Sequence, residues 1–157
     1  MRAEAAFHTL GNEELLRLHK IAFLCSRGCP AAVSVKSRNW ALSQREQGNC
    51  VISGFHSRVE KDVLCQLLAG TQPVILALAR GIMPRLAPDL QSALDAGLLL
   101  IITRYAESVT HACEDSCFQR NRLMMALADE TVVAYASPGG KLERLCRERP
   151  GLKITLL

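Results

Sequence analysis

The sequence predicts an α/β fold: a doubly wound, mostly parallel sheet of about six strands, Rossmann-like, with helices on both faces. Three observations carry this. Apolar runs of strand length recur at 21–25, 50–53, 74–79, 98–103, 131–136 and 153–157. Five of them are nearly continuous in Val, Ile, Leu or Ala, as strands covered on both sides must be. Between them lie segments of helix length whose apolar residues step by three and four.

Taken in order, residues 1–19 form a short helical lead-in. Asn12 caps a turn through Leu15, Leu16 and Leu18, and Glu13 and Glu14 suit its positive end. The first strand, 21–25, leads to a helix over 31–47 that stops at Gly48-Asn49. The second strand, 50–53, precedes a helix over 59–68 with Val59, Val63 and Leu67 on one face and Gly70 beyond its end. After the third strand, 74–79, Pro84 to Pro88 form a turn into a helix over 88–96, closed by Gly97. The fourth strand, 98–103, and a helix over 120–128 follow. The fifth strand, 131–136, precedes a helix over 140–149 carrying Leu142, Leu145 and Cys146, and 153–157 is the last strand. No repeat, low-complexity tract or linker interrupts this series, so residues 1–157 read as one domain.

Composition narrows the function classes. A 49% hydrophobic content excludes disorder. A net charge of +4 and a pI near 8.8 bias the surface toward anionic partners. Aromatic residues are only 4%, which argues against a surface that reads nucleic acid by stacking successive bases on aromatic platforms. Residues 1–20 lack the apolar core of a signal peptide, and no apolar run reaches the length of a membrane span. Seven cysteines, an odd number, fit reduced thiols better than a disulfide framework. A soluble, cytoplasmic protein with no membrane partner is expected.

Four short segments past the strand ends are candidates for holding phosphate. Ser26 and Arg27 follow the first strand, where backbone N–H groups and a guanidinium can meet an anion. Ser53 and Gly54 follow the second, a hydroxyl beside a residue that permits close backbone approach. Arg120, Asn121 and Arg122 are expected at a helix N-terminus, where two cations oppose the local dipole unless an anion sits nearby. Gly139, Gly140 and Lys141 follow the fifth strand. Each segment also has a plainer reading as a turn or a solvated surface. His111, Cys113 and Cys117, with Cys25 and Cys29 nearby, have metal-donor types but not zinc-knuckle spacing, so no metal is expected. The P-loop and G-x-G-x-x-G patterns are absent and no cofactor is expected. Glu143 is a conceivable general base without a matched acid, so no catalytic residue is assigned.

The ordered set Ser26-Arg27, Ser53-Gly54-Phe55, Gly81, Phe118-Gln119-Arg120-Asn121-Arg122 and 137–140, with Gly11 to Leu16 near the start, resembles the Rossmann-like core of the DNA-processing protein A (DprA/Smf) family. The resemblance implies a non-enzymatic protein that binds single-stranded DNA in DNA uptake, natural transformation and recombination. It places Ser26, Arg27, Ser53, Gly54, Arg120, Asn121 and Arg122 at a phosphate-binding pocket, and it implies a homodimer. The family helps load RecA, but the flanking modules of many members have no counterpart in these residues, so RecA contact is left out of the expectation. The chain departs from the family pattern at Cys25, where glycine is usual, and at Arg58-Val59-Glu60, where Gly-Ile-Asp is usual. If Arg58 blocks the pocket, an interaction module remains. The segment from Pro138 to Glu143 is also similar to the Pro-Gly-Gly loop of lonely-guy phosphoribohydrolases, which keeps a nucleotide-binding or nucleotide-hydrolysing protein as the alternative.

Overall fold

A computed structural model describes residues 6–149 and 153–157. The strands are β1 (His8–Gly11), β2 (Lys20–Cys25), β3 (Cys50–Ser53), β4 (Val74–Leu78), β5 (Leu99–Thr103), β6 (Glu130–Tyr135) and β7 (Ile154–Leu156). The helices are α1 (Ala31–Gln47), α2 (Arg58–Leu68), α3 (Pro88–Asp95), α4 (Glu114–Leu127) and α5 (Lys141–Arg147). One sheet joins all seven strands in the order β1-β5-β4-β3-β2-β6-β7. Six strands run parallel and β1 runs antiparallel on the outer side of β5. The doubly wound, mostly parallel sheet expected from the sequence is therefore present, with one strand more than expected.

Period-two alternation divides the core into two layers. Ala22 and Leu24 of β2, Ile52 of β3, Ile75 of β4 and Ile102 of β5 pack with Met124 of α4 and Leu145 of α5. Ile21, Phe23, Val51, Val74 and Ile101 point the other way, toward Ala41 of α1 and Val63 and Leu67 of α2. On that side Trp40 of α1 stacks on Phe23, with ring centroids 4.9 Å apart. Helices on both faces explain why these strands read as continuous apolar runs.

Residues 8–11 are a strand where the sequence suggests only a helical lead-in. Four residues with Leu10 as their one large apolar side chain give no pattern, and the strand exists because the free edge of β5 supplies unpaired N–H and C=O groups to a neighbouring segment. The turn after it, Glu13–Arg17, is a 3-10 helix capped as expected, with Asn12 Oδ1 accepting from Glu14 N at 3.1 Å. Gly48 closes α1 at φ +72°, again as expected. The larger difference is α4, which begins at Glu114 rather than Arg120. Cys113 caps it through sulfur, accepting from Ser116 N, while the Ser116 hydroxyl accepts from Cys113 N. A thiol in the role of the usual Ser or Thr hides this capping box from a sequence reading. Among the described residues no helix is long and apolar enough to cross a membrane.

Candidate functional site

Winding runs from β2 outward through β3, β4 and β5 on one side, and reverses to β6 and β7 on the other. Loops at the C-terminal ends of β2 and β6 therefore diverge above a crevice, the usual place for a ligand in such a sheet. Two hydrogen bonds stitch its floor: Ser26 N donates to Tyr135 O at 2.8 Å, and Ser137 N donates to Ser26 Oγ at 3.1 Å. The resulting open cleft, about 540 Å³, is lined by Ser26, Arg27, His56, Glu60, Arg120, Asn121, Gly140 and Lys141 among others. Segments from four parts of the chain thus meet on one rim.

Arg120 is the central cation. It lies in the second turn of α4, not at the helix start, so the dipole argument for Arg120 and Arg122 does not hold. It is 6% exposed, and among the described residues no carboxylate pairs with it. Its Nε donates to Asn121 Oδ1 at 3.1 Å. The guanidinium lies flat on Gly54, where an added Cβ would overlap it. Gly54 is therefore required by the close approach of an arginine from 66 residues along the chain, rather than by its own turn.

Arg27 is exposed, and its Nη2 donates to His56 Nε2 at 3.0 Å. A guanidinium has no acceptor, so His56 in this pair is neutral and carries its proton on Nδ1. Burial, then the charges of Arg120 and Arg27, hold the His56 ring below its ordinary value of 6.5. Lys61 acts in the same direction and Glu60 opposes them.

Glu60 organises both loops. It is 5% exposed and belongs to a capping box with Ser57 at the start of α2. Its Oε1 accepts from His56 N at 3.0 Å and Ser57 N at 2.9 Å, and its Oε2 accepts from Cys25 N at 3.1 Å. The carboxylate thus ties the end of β2 to the loop after β3. Phe55, between Gly54 and His56, is held at φ +46°, a conformation rare for a bulky residue, while its ring is buried. The sequence gives no site role to His56, and Glu60 enters it only as part of the Arg58-Val59-Glu60 departure, although Ser57-x-x-Glu60 is a recognisable capping signature.

The remaining expected residues divide. Asn121, Gly140 and Lys141 line the cleft, and Lys141 Nζ pairs with Glu114 at 3.0 Å, which holds that exposed carboxyl below its usual range. Ser53 is fully buried: its hydroxyl donates to Phe23 O at 2.8 Å and accepts from Phe55 N at 3.2 Å, so it shapes the loop from beneath. Arg122 is exposed and outside the cleft lining, as is Gly139, whose N–H points to Glu143 Oε1. Arg58, which would leave only an interaction module if it blocked the pocket, is exposed at the first position of α2 and does not line the cleft. Glu143 also lies outside it, paired with Arg147. Cys113 and Cys117 line the cleft while His111 faces a neighbouring one, and among the described residues no group of three or more His, Cys, Asp or Glu gathers to hold a metal.

Comparison with solved structures finds the same fold in DNA processing protein A from Helicobacter pylori, at a TM-score of 0.76 and 19% identity, covering 96% of this chain and 70% of that one. That structure addresses the single-stranded DNA binding mode of the Helicobacter protein. DNA processing protein A from Streptococcus pneumoniae matches at a TM-score of 0.74 and 20% identity, covering 96% of this chain and 54% of that one. This chain therefore spans little more than half the length of the Streptococcus protein. No curated protein matches by sequence. A sequence-family model described as DNA recombination-mediator protein A matches residues 2–142, nearly the whole chain, and the protein belongs to that family.

Proposed function

We propose that the protein binds single-stranded DNA without chemical turnover, in DNA processing and recombination in the cytoplasm, with the sugar–phosphate chain crossing the cleft between the β2 and β6 loops. The observation that carries this reading is Arg120: a nearly buried guanidinium with no carboxylate partner among the described residues, fixed in place by Asn121 and Gly54, is an expensive arrangement that an anion relieves. Arg27 at the rim adds a second fork of donors, and phosphate oxygens match both. The single-stranded DNA binding of the Helicobacter protein points the same way. Glu60 is committed to three backbone N–H groups, Glu114 on the cleft wall is paired with Lys141 and Glu143 lies elsewhere, so among the described residues no unpaired carboxylate lines the cleft to serve hydrolysis, and the phosphoribohydrolase alternative gains no support.

Binding led by phosphate is steeply salt-dependent. Titrating a fluorescent oligodeoxythymidylate at several chloride concentrations is expected to give a slope of log K against log salt near −0.7 for each phosphate neutralised, or about −1.4 for Arg27 and Arg120 together. A slope near zero, or release of free base from a nucleotide, would rule the reading out.

The same site couples binding to protons. His56 is neutral in the free protein, held so first by burial and then by the charges of Arg120, Arg27 and Lys61, and a phosphate placed among those three offsets the charge part. Binding then takes up a proton, and affinity should rise as pH falls from about 8 to about 6, across the ordinary imidazole range. His56→Asn should flatten this dependence, and an equally steep profile in the variant would show that the proton goes elsewhere. Stability runs the other way. With the folded value below the unfolded one, the unfolded chain takes the proton first, so the free protein loses stability as pH falls through about 6.5.

A further inference from the structure

A second cleft, of about 510 Å³, opens on the opposite side of Arg120. It shares His56, Ala112 and Arg120 with the first, so the two form one trough along the C-terminal edge of the sheet. Its walls differ from those of the first cleft. Leu64 of α2, Leu76 and Leu78 of β4, Met83 and Leu90 supply apolar surface, and Lys61, Arg80 and His111 stand on the lining as cations or potential cations. Among the described residues no carboxylate lines it. The loops that form its mouth are fixed to one another: Arg80 Nη1 donates to Thr110 O at 3.2 Å, Gly81 N donates to Val109 O at 2.8 Å, and the Thr103 hydroxyl donates to Arg80 O. A Cβ at Gly81 would overlap the backbone of Ala106, so this knit leaves no slack.

An apolar slot of this size, rimmed by positive charge and adjoining a phosphate-seeking arginine, matches a flat heterocycle attached to a phosphodiester. We propose that the second cleft receives one unstacked nucleobase of the strand whose phosphate sits on Arg120. The base slides between the β4 side chains and Met83, while its own phosphates stay within reach of Arg120 on one side and Lys61 or Arg80 on the other. Burial between aliphatic walls takes the place of stacking on successive aromatic platforms, since Phe55, the one phenyl ring on this lining among the described residues, is itself buried. A base paired in a duplex cannot enter, so the slot selects single strands over double strands, which phosphate contacts alone do not do.

This inference rests on the DNA-binding reading, and the test separates the two. Affinity is measured for an oligodeoxythymidylate and for a fully abasic tetrahydrofuran strand with the same number of phosphates. The intact chain is expected to prefer the base-bearing strand by about tenfold or more, within the range of one base buried at a protein surface. In Leu64→Asn and Met83→Asn, which place amides in the wall of the second cleft only, the preference should collapse toward unity. Equal binding of the two strands by the unaltered protein overturns the base slot and leaves the phosphate site standing. A full preference retained in both folded variants places the base elsewhere and also overturns it. Failure to bind either strand removes both readings. The comparison within the unaltered protein holds even if a variant does not fold.

Discussion

Replacing Arg27 and Arg120 together by alanine is expected to weaken binding of single-stranded DNA by about a hundredfold or more, since each charge-assisted hydrogen bond to phosphate contributes roughly 1.5–3 kcal/mol. The loss should be similar for all base sequences, because phosphates carry no sequence information. The salt slope should become shallower by about 1.4, two phosphate equivalents on a single strand. Two further variants make the test specific. Arg122→Ala removes a cation of the same type two residues from Arg120 but outside the cleft, and should bind nearly as the unaltered chain does. Gly54→Ala keeps every charge but fills the space on which the guanidinium lies, so it should reproduce much of the Arg120→Ala loss. Stability is a useful counter-measurement. Arg120 has no carboxylate partner among the described residues, so its removal withdraws a poorly compensated charge and should not lower the denaturant midpoint substantially. An oligonucleotide titration in which the double variant binds within about twofold of the unaltered protein would show that the cleft is not where phosphate is neutralised.

The fold was legible because a parallel sheet covered on both faces leaves a coarse signature: whole strands are apolar, and the runs from β2 to β6 announce themselves without homologues. What escaped is what depends on contact rather than pattern. β1 is four residues recruited by the edge of β5, with nothing periodic to show it. The start of α4 is set by a thiol cap that the sequence does not announce, so Arg120, a helix N-terminal residue by pattern, lies in the second turn. Its grouping with Arg27 and Gly54 nevertheless emerged from the sequence, because strand-end loops of a doubly wound sheet converge whatever the helix boundaries. Ser53 shows the limit of that logic. Its position at a strand end is right, but β3 lies inside the sheet and its hydroxyl is consumed by Phe23 O and Phe55 N beneath the loop. His56 and Glu60 carry no motif of their own at the level of ligand binding, and their roles follow from the 35-residue separation that the Cys25–Glu60 bond spans.

Glu60 is the residue on which the geometry of the cleft depends most, and its replacement should have the largest effect on folding. Three backbone N–H groups, from Cys25, His56 and Ser57, converge on one carboxylate that is 5% exposed. Glu60→Ala leaves all three without an acceptor. At roughly 1–3 kcal/mol for each buried donor so orphaned, the loss is about 3 kcal/mol or more, a large part of the roughly 5–15 kcal/mol available to a domain. For a chain of this length that corresponds to a fall in Tm of about 10 °C. Glu60→Gln separates charge from shape. An amide fills the same space, but only its oxygen accepts. If that oxygen serves His56 and Ser57, the NH2 group faces the Cys25 N–H donor to donor, and turning it over abandons two bonds to save one. Gln should therefore lie between Glu and Ala in stability rather than match Glu. Its DNA affinity should fall even where the chain is folded, because the loops holding Arg27 and His56 are set against each other through this carboxylate. Urea midpoints that place Glu60→Gln level with the unaltered protein would mean that packing, not the acceptor pair, holds these loops together.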